Sequence, residues 1–109
     1  MRPNTKQILS AVDASEDQES EVIPAAYVVQ ASVQIAKTGT ATGDVNLMVS
    51  NDEKDPTNWS EVATVALADA GVYLIPKTDL CYKWLKVQFV ADNEEDGTLT
   101  VNLNTIGLN

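Results

Sequence analysis

The sequence predicts an all-β chain folded as one antiparallel β-sandwich of about seven short strands. Three observations carry this expectation. Apolar and polar residues alternate along most of the chain, which is the period of a strand with one buried face. Turn-forming residues break the alternation at regular intervals. No segment shows a convincing helical stripe. A length of 109 residues fits a single domain. Residues 1–26 read as an N-terminal strand plus an acidic connector of that same domain, and residues 27–109 as the sandwich body.

Lys6 to Val12 reads as a first short strand, followed by the polar run Asp13 to Glu21, which offers no apolar stripe and reads as a solvated connector. Tyr27 to Ala36 alternates most clearly, with Val29, Ala31, Val33 and Ile35 on one side and Gln30, Ser32 and Gln34 on the other. The loop Lys37 to Gly43 carries two glycines, and Asp44 to Ser50 resumes with Val45, Leu47 and Val49, so the pair reads as a β-hairpin. A polar loop with Pro56 leads to a strand from Trp59 to Leu67. Val72 to Ile75 follows the turn Asp69-Ala70-Gly71 and is expected to stop at Pro76, after which residues 77–82 cross to the next strand. Trp84 to Ala91 points Leu85, Val87 and Phe89 one way, and Thr98 to Leu103 does the same with Leu99, Val101 and Leu103. Jelly-roll and immunoglobulin-like sandwiches both fit this order, with a small barrel as the alternative. The in-phase set Val33, Ile35, Val45, Leu47, Val87, Phe89, Leu99 and Val101 is the expected core.

Composition narrows function. Sixteen acidic residues against 7 basic ones give a net charge of -9, which repels phosphate backbones and argues against nucleic-acid partners. His is absent, so the usual proton shuttle and the Ser–His and Cys–His nucleophile pairs are missing. Cys81 is the only cysteine, which rules out an internal disulfide and a thiolate zinc site. It reads as a small half-buried residue ahead of a strand. No apolar run reaches membrane-spanning or signal-peptide length, so neither a membrane nor export is expected. The loop from Asn51 fails the EF-hand pattern, because its sixth and twelfth positions are Pro56 and Val62. The turn from Asp92 to Gly97 is also acid-rich, and the two loops could share one end of the sandwich. Carboxylates all fall in or beside turns, so no glycosidase-like pair stands out. The expectation is a chain with no enzymatic activity, no cofactor and no metal.

The aromatic residues with polar handles are Tyr27, Trp59, Tyr73, Tyr82 and Trp84. Such side chains anchor interfaces and stack on sugars. Trp59 opens a strand directly after a loop and is expected to cover the end of the core. Trp84 shares its parity with Lys86 and Gln88, opposite the apolar residues, so Trp84, Tyr82 and Tyr73 are the candidate interface residues.

From Tyr27 onward the order of motifs resembles small all-β structural proteins of tailed bacteriophage virions. The resemblance rests on Thr38-Gly39 and Thr42-Gly43 after the first alternating strand, then Ser50-Asn51-Asp52, Asn58-Trp59, Trp84-Leu85-Lys86-Val87, and Gly97-Thr98-Leu99-Thr100-Val101. It implies a virion component of the capsid-decoration, head-fibre or tail-accessory type, assembled in the cytoplasm of a bacterial host. Its partners would be further copies of itself, a trimer for a decoration protein, or the major capsid protein. No catalytic or ligand residue comes with it. The alternative is a carbohydrate-binding β-sandwich module of a phage tail or surface protein, because a Ser-x-Asp ahead of a Trp also occurs in discoidin-like jelly rolls.

Overall fold

A computed structural model describes residues 2–107. The strands are β1 (Arg2–Asp13), β2 (Gln18–Glu19), β3 (Ile23–Pro24), β4 (Val28–Lys37), β5 (Gly43–Ser50), β6 (Ser60–Leu67), β7 (Gly71–Asp79), β8 (Trp84–Ala91) and β9 (Thr98–Gly107). They form two antiparallel sheets. Sheet A has the order β1-β9-β4-β7 and sheet B the order β2-β8-β5-β6, with β3 also pairing to β8. The expected antiparallel sandwich is the observed fold.

Alternation explains what lies between the sheets. Val33, Ile35, Leu99, Val101 and Leu103 from sheet A meet Val45, Leu47, Leu85, Val87 and Phe89 from sheet B, and all eight expected core residues are buried. Gly43 makes room for the largest of them. A Cβ there would press on the Phe89 ring at 2.6 Å and on the Val90 carbonyl, so only glycine lets β5 and β8 close over that ring.

Four expectations about connectivity need correction. The strands β4 and β5 do not form a hairpin. Both edges of β4 are taken by β9 and β7, and those of β5 by β6 and β8, so residues 38–42 carry the chain from one sheet to the other. Alternation reveals which face a residue occupies, but not which strand lies beside it. Gly39 turns this crossover at φ 76°, and the N–H groups of Thr40 and Ala41 donate to the Asp96 carbonyl. Second, β7 does not stop at Pro76. It continues to Asp79 through a bulge opposite Ser32, which an edge strand tolerates because its outer side needs no donor. Third, residues 13–21 are more than a solvated connector. Ser20 exchanges hydrogen bonds with Val87, and Asp17 accepts from the Ala91 N–H at 2.8 Å, so this segment and β3 cover the outer edge of β8. Fourth, loop 51–58 follows the end of β5 while loop 92–97 follows β8 beside the start of β5, so the two acidic loops do not share one end of the sandwich.

Lys37 is buried at the turn side of the molecule. Its Nζ donates to the Gly39 carbonyl at 3.0 Å and the Ala68 carbonyl at 3.1 Å, which ties the β4–β5 crossover to the β6–β7 crossover. The ammonium therefore has acceptors in place of water, as a buried charge requires.

Candidate functional site

Two surfaces compete as the functional site: the aromatic corner of sheet B and the outer face of sheet A. The corner is built by Asp52. Its Oδ2 accepts the Thr57 N–H at 2.8 Å and the Asn58 N–H at 3.0 Å, and its Oδ1 accepts from Asn58 Nδ2 at 3.3 Å. Those donors, the Asn58 N–H foremost, hold the Asp52 carboxyl below the ordinary aspartate value. The Asp52 backbone carbonyl in turn accepts Trp84 Nε1 at 2.8 Å, and Asn51 Oδ1 accepts the Lys83 N–H at 3.0 Å. Ser50-Asn51-Asp52 and Asn58 therefore act as a lock on their own loop. The indole N–H of Trp84 is committed within the chain.

The other ring of the corner is committed too. Lys86 Nζ lies 4.5 Å from the centroid of Trp59 and 2.8 Å from Glu19 Oε1, so the ammonium sits between a ring and a carboxylate. Trp59 thus lies against the sheet-B side chain Lys86, not at the end of the core as expected; the sequence placed it correctly beside a strand start but could not show Lys86 opposite.

The candidate interface residues do not form one surface. Trp84 and Tyr82 stand by the start of β6, and Tyr82 packs against the core. Tyr73 belongs to the other sheet, near the far end of β6, and also packs against the core. Its hydroxyl donates to the Asp69 carbonyl at 2.7 Å and accepts the Ala68 N–H at 3.2 Å, closing the β6–β7 turn. Tyr27 is the aromatic that stays open, at 69% exposure. Cys81 is exposed, contrary to the half-buried expectation, because it lies in the crossover after β7 and its neighbours Leu80 and Tyr82 turn inward. Among the described residues, no group of three or more His, Cys, Asp or Glu is arranged to hold a metal ion.

The outer face of sheet A differs in kind. Thr5 and Gln7 of β1, Thr100, Asn102 and Asn104 of β9, Ser32, Gln34 and Ala36 of β4, and Val72 and Leu74 of β7 alternate with the buried residues of their strands. None of these is charged, although the chain carries a net charge of -9; the charge on this face is Asp79 at the end of β7, opposite Gln30, whose Nε2 donates to Asp79 Oδ1 at 3.3 Å. Thr5, Ser32, Gln34, Leu74, Asn102 and Asn104 line one shallow depression. Thr5 Oγ1 donates to Asn104 Oδ1 at 3.0 Å, while among the described residues the side chains of Ser32, Gln34 and Asn102 make no hydrogen bond within the chain. Val72 and Leu74 are 66% and 62% exposed. Sequence reasoning passed over this face because it looked for aromatic rings. The signal available was the uncharged outward set in strands of an otherwise acidic chain.

No family model matches the chain, and no curated protein matches it in sequence. Solved structures do match in fold. The PBSX exported protein XepA superposes with a TM-score of 0.77 at 12% identity, over 97% of this chain and 38% of XepA, so the chain spans well under half of that protein. The SPBc2 prophage-derived protein YomS superposes with a TM-score of 0.62 at 11% identity, over 96% of this chain and 95% of YomS. Chitosan-binding module 1 from a chitosanase/glucanase of Paenibacillus sp. IK-5 gives 0.53 at 18% identity, over 92% of each chain. At these identities the likeness is one of fold, and the fold is shared by an exported protein, a prophage-derived protein and a chitosan-binding module.

Proposed function

We propose that the chain is a non-enzymatic structural subunit of a bacteriophage particle, binding further copies of itself or the capsid shell through the outer face and edge of sheet A. The observation that carries this reading is the uncharged centre of that face, away from Asp79 at its end. Interface centres are depleted in charge and hold hydrogen-bonding and apolar groups together. Here spare amide and hydroxyl groups of Ser32, Gln34 and Asn102 adjoin the exposed Val72 and Leu74. The acidic loops stand elsewhere and keep the subunit soluble. The likeness in fold to YomS, which is named as prophage-derived, agrees with the resemblance carried by the sequence motifs.

The likeness to a chitosan-binding module raises the carbohydrate-binding alternative. Sugar platforms use exposed rings for stacking. In this chain the Trp84 N–H and the Trp59 ring are engaged internally, and the uncharged centre of the sheet-A face carries no aromatic side chain. Size-exclusion chromatography with light scattering, run alongside a glycan array, separates the two. A defined oligomer without glycan hits supports the structural subunit. A monomer with clear hits overturns it in favour of the binding module.

A further inference from the structure

We infer that the first half of β7, Gly71 to Ile75, is a self-pairing edge: two copies join there antiparallel about a two-fold axis at Tyr73, fusing two four-stranded sheets into one of eight strands. This rests on the self-association reading above and names the contact that makes it.

The other sheet edges are blunted or covered. An open strand edge is a template for another chain unless bulges, charges, proline or brevity blunt it. The β1 edge has two register breaks, a positive-φ Ala11 at 47° and an ion pair from Lys6 to Glu21. The β8 edge is covered by β2 and β3, of two residues each, and β3 contains Pro24. The β6 edge is broken beside Glu61, and its remaining run, Ala63 to Leu67, turns only Thr64 and Ala66 outward. On β7 the bulge at Pro76 blunts only the far half. From Gly71 to Ile75 the strand pairs with β4 without interruption, carries no charge, and exposes two large aliphatic side chains.

A second copy fits this edge better than an arbitrary strand does. In an antiparallel ladder, alternate residues turn both N–H and C=O to the free side, so the edge offers its own complement. The register that pairs all five residues with one another has its axis at Tyr73. Gly71 then opposes Ile75, and Val72 opposes Leu74 on the outer face, twice across the seam. Of the 16 acidic residues, only Asp69 and Asp79 lie in β7 or its preceding turn. The uncharged centres of the two outer faces become one continuous surface.

The test is sedimentation velocity on the full chain and on the double variant Val72→Lys, Leu74→Lys, which opposes like charges at both seam positions. Both side chains are already exposed, so the thermal midpoint of the variant, read on the same samples, stays near that of the wild type. Amide exchange across 71–75 supplies a second readout. The expected result is a wild-type dimer at tens of micromolar with 71–75 protected, and a monomeric variant in which that protection is lost. Wild type and variant associating equally overturns the β7 edge and leaves the structural-subunit reading intact. A wild type that stays monomeric at hundreds of micromolar overturns the self-pairing outright, and glycan hits on such a monomer would sink the structural reading with it.

Discussion

The two outer faces of this sandwich, built from the same kind of alternating strand, differ in how they use the polar groups at their centres. On sheet B, Lys86 is held by Glu19 and Trp59, Thr64 donates to Asn46, and Trp84 donates to the Asp52 carbonyl. On sheet A, Thr5 donates to Asn104 and Gln30 to Asp79, but the central side chains of Ser32, Gln34 and Asn102 make no hydrogen bond within the chain among the described residues. A polar group already bonded within the chain gives little to a complex, because the new bond replaces an old one. The face with the tryptophans therefore spends its polar groups on the fold, and on the proposed reading the centre of the other face is the one that binds.

The largest expected effect is common to both faces and sets the scale. Phe89 is fully buried between the sheets, so Phe89→Ala should cost about 3–5 kcal/mol in chemical denaturation. A loss below about 1 kcal/mol, the size of an average substitution, would mean that the ring is not a shared foundation.

A smaller effect isolates sheet B. Trp84→Phe keeps a ring on the same strand but removes the donor to the Asp52 carbonyl, at a cost of about 1 kcal/mol for the hydrogen bond. Wild-type-like stability would show that the indole N–H is not committed, and Trp84 would return as a contact residue.

Acid acts on the same lock. The donors from Asn58 and Thr57 lower the folded-state pKa of Asp52 beneath its ordinary value of 3.8, and the N–H and hydroxyl of Ser15 do the same for Asp13. A carboxyl with a depressed folded pKa contributes stability that is complete above the unfolded value and is lost as pH falls through the folded one. Stability should therefore drop below about pH 4, and Asp52→Asn should flatten that acid limb while leaving the Asp13 share. An unchanged limb in Asp52→Asn would show that the loop lock does not depend on the ionised carboxylate.

Much of the fold was legible because alternation writes burial directly into sequence: Val33 and Ile35, or Val87 and Phe89, could face only inward. Strand partners were less legible. The glycines of 38–43 suit a hairpin and an inter-sheet crossover equally, and the choice depends on β7 and β9 occupying both edges of β4. For the site, the sequence located the right motifs at Ser50-Asn51-Asp52 and Asn58-Trp59 but not their use, since bonds such as Trp84 to Asp52 span 32 residues. The sheet-A face escaped notice because a row of Ser, Gln and Asn is what any solvated strand face shows. Its meaning comes from the charges missing around it.

The smallest effect on stability tests the free face most sharply. Gln34 and Asn102 are register partners across β4 and β9, both turned outward, and neither side chain is bonded within the chain among the described residues. The double variant Gln34→Ala, Asn102→Ala removes two amides without breaking an internal hydrogen bond or opening a cavity. Each change should alter the unfolding free energy by no more than about 0.5 kcal/mol, the range for surface sites away from special features. Association is different, because an interface loses the bonds those amides make to the partner and strands the partner's own groups. Comparing the oligomer fraction of this variant with that of Trp84→Phe at equal concentration sets one face against the other. Weakened assembly in the sheet-A variant alone is expected. If Trp84→Phe dissociates the oligomer and the sheet-A variant does not, the roles of the two faces are reversed.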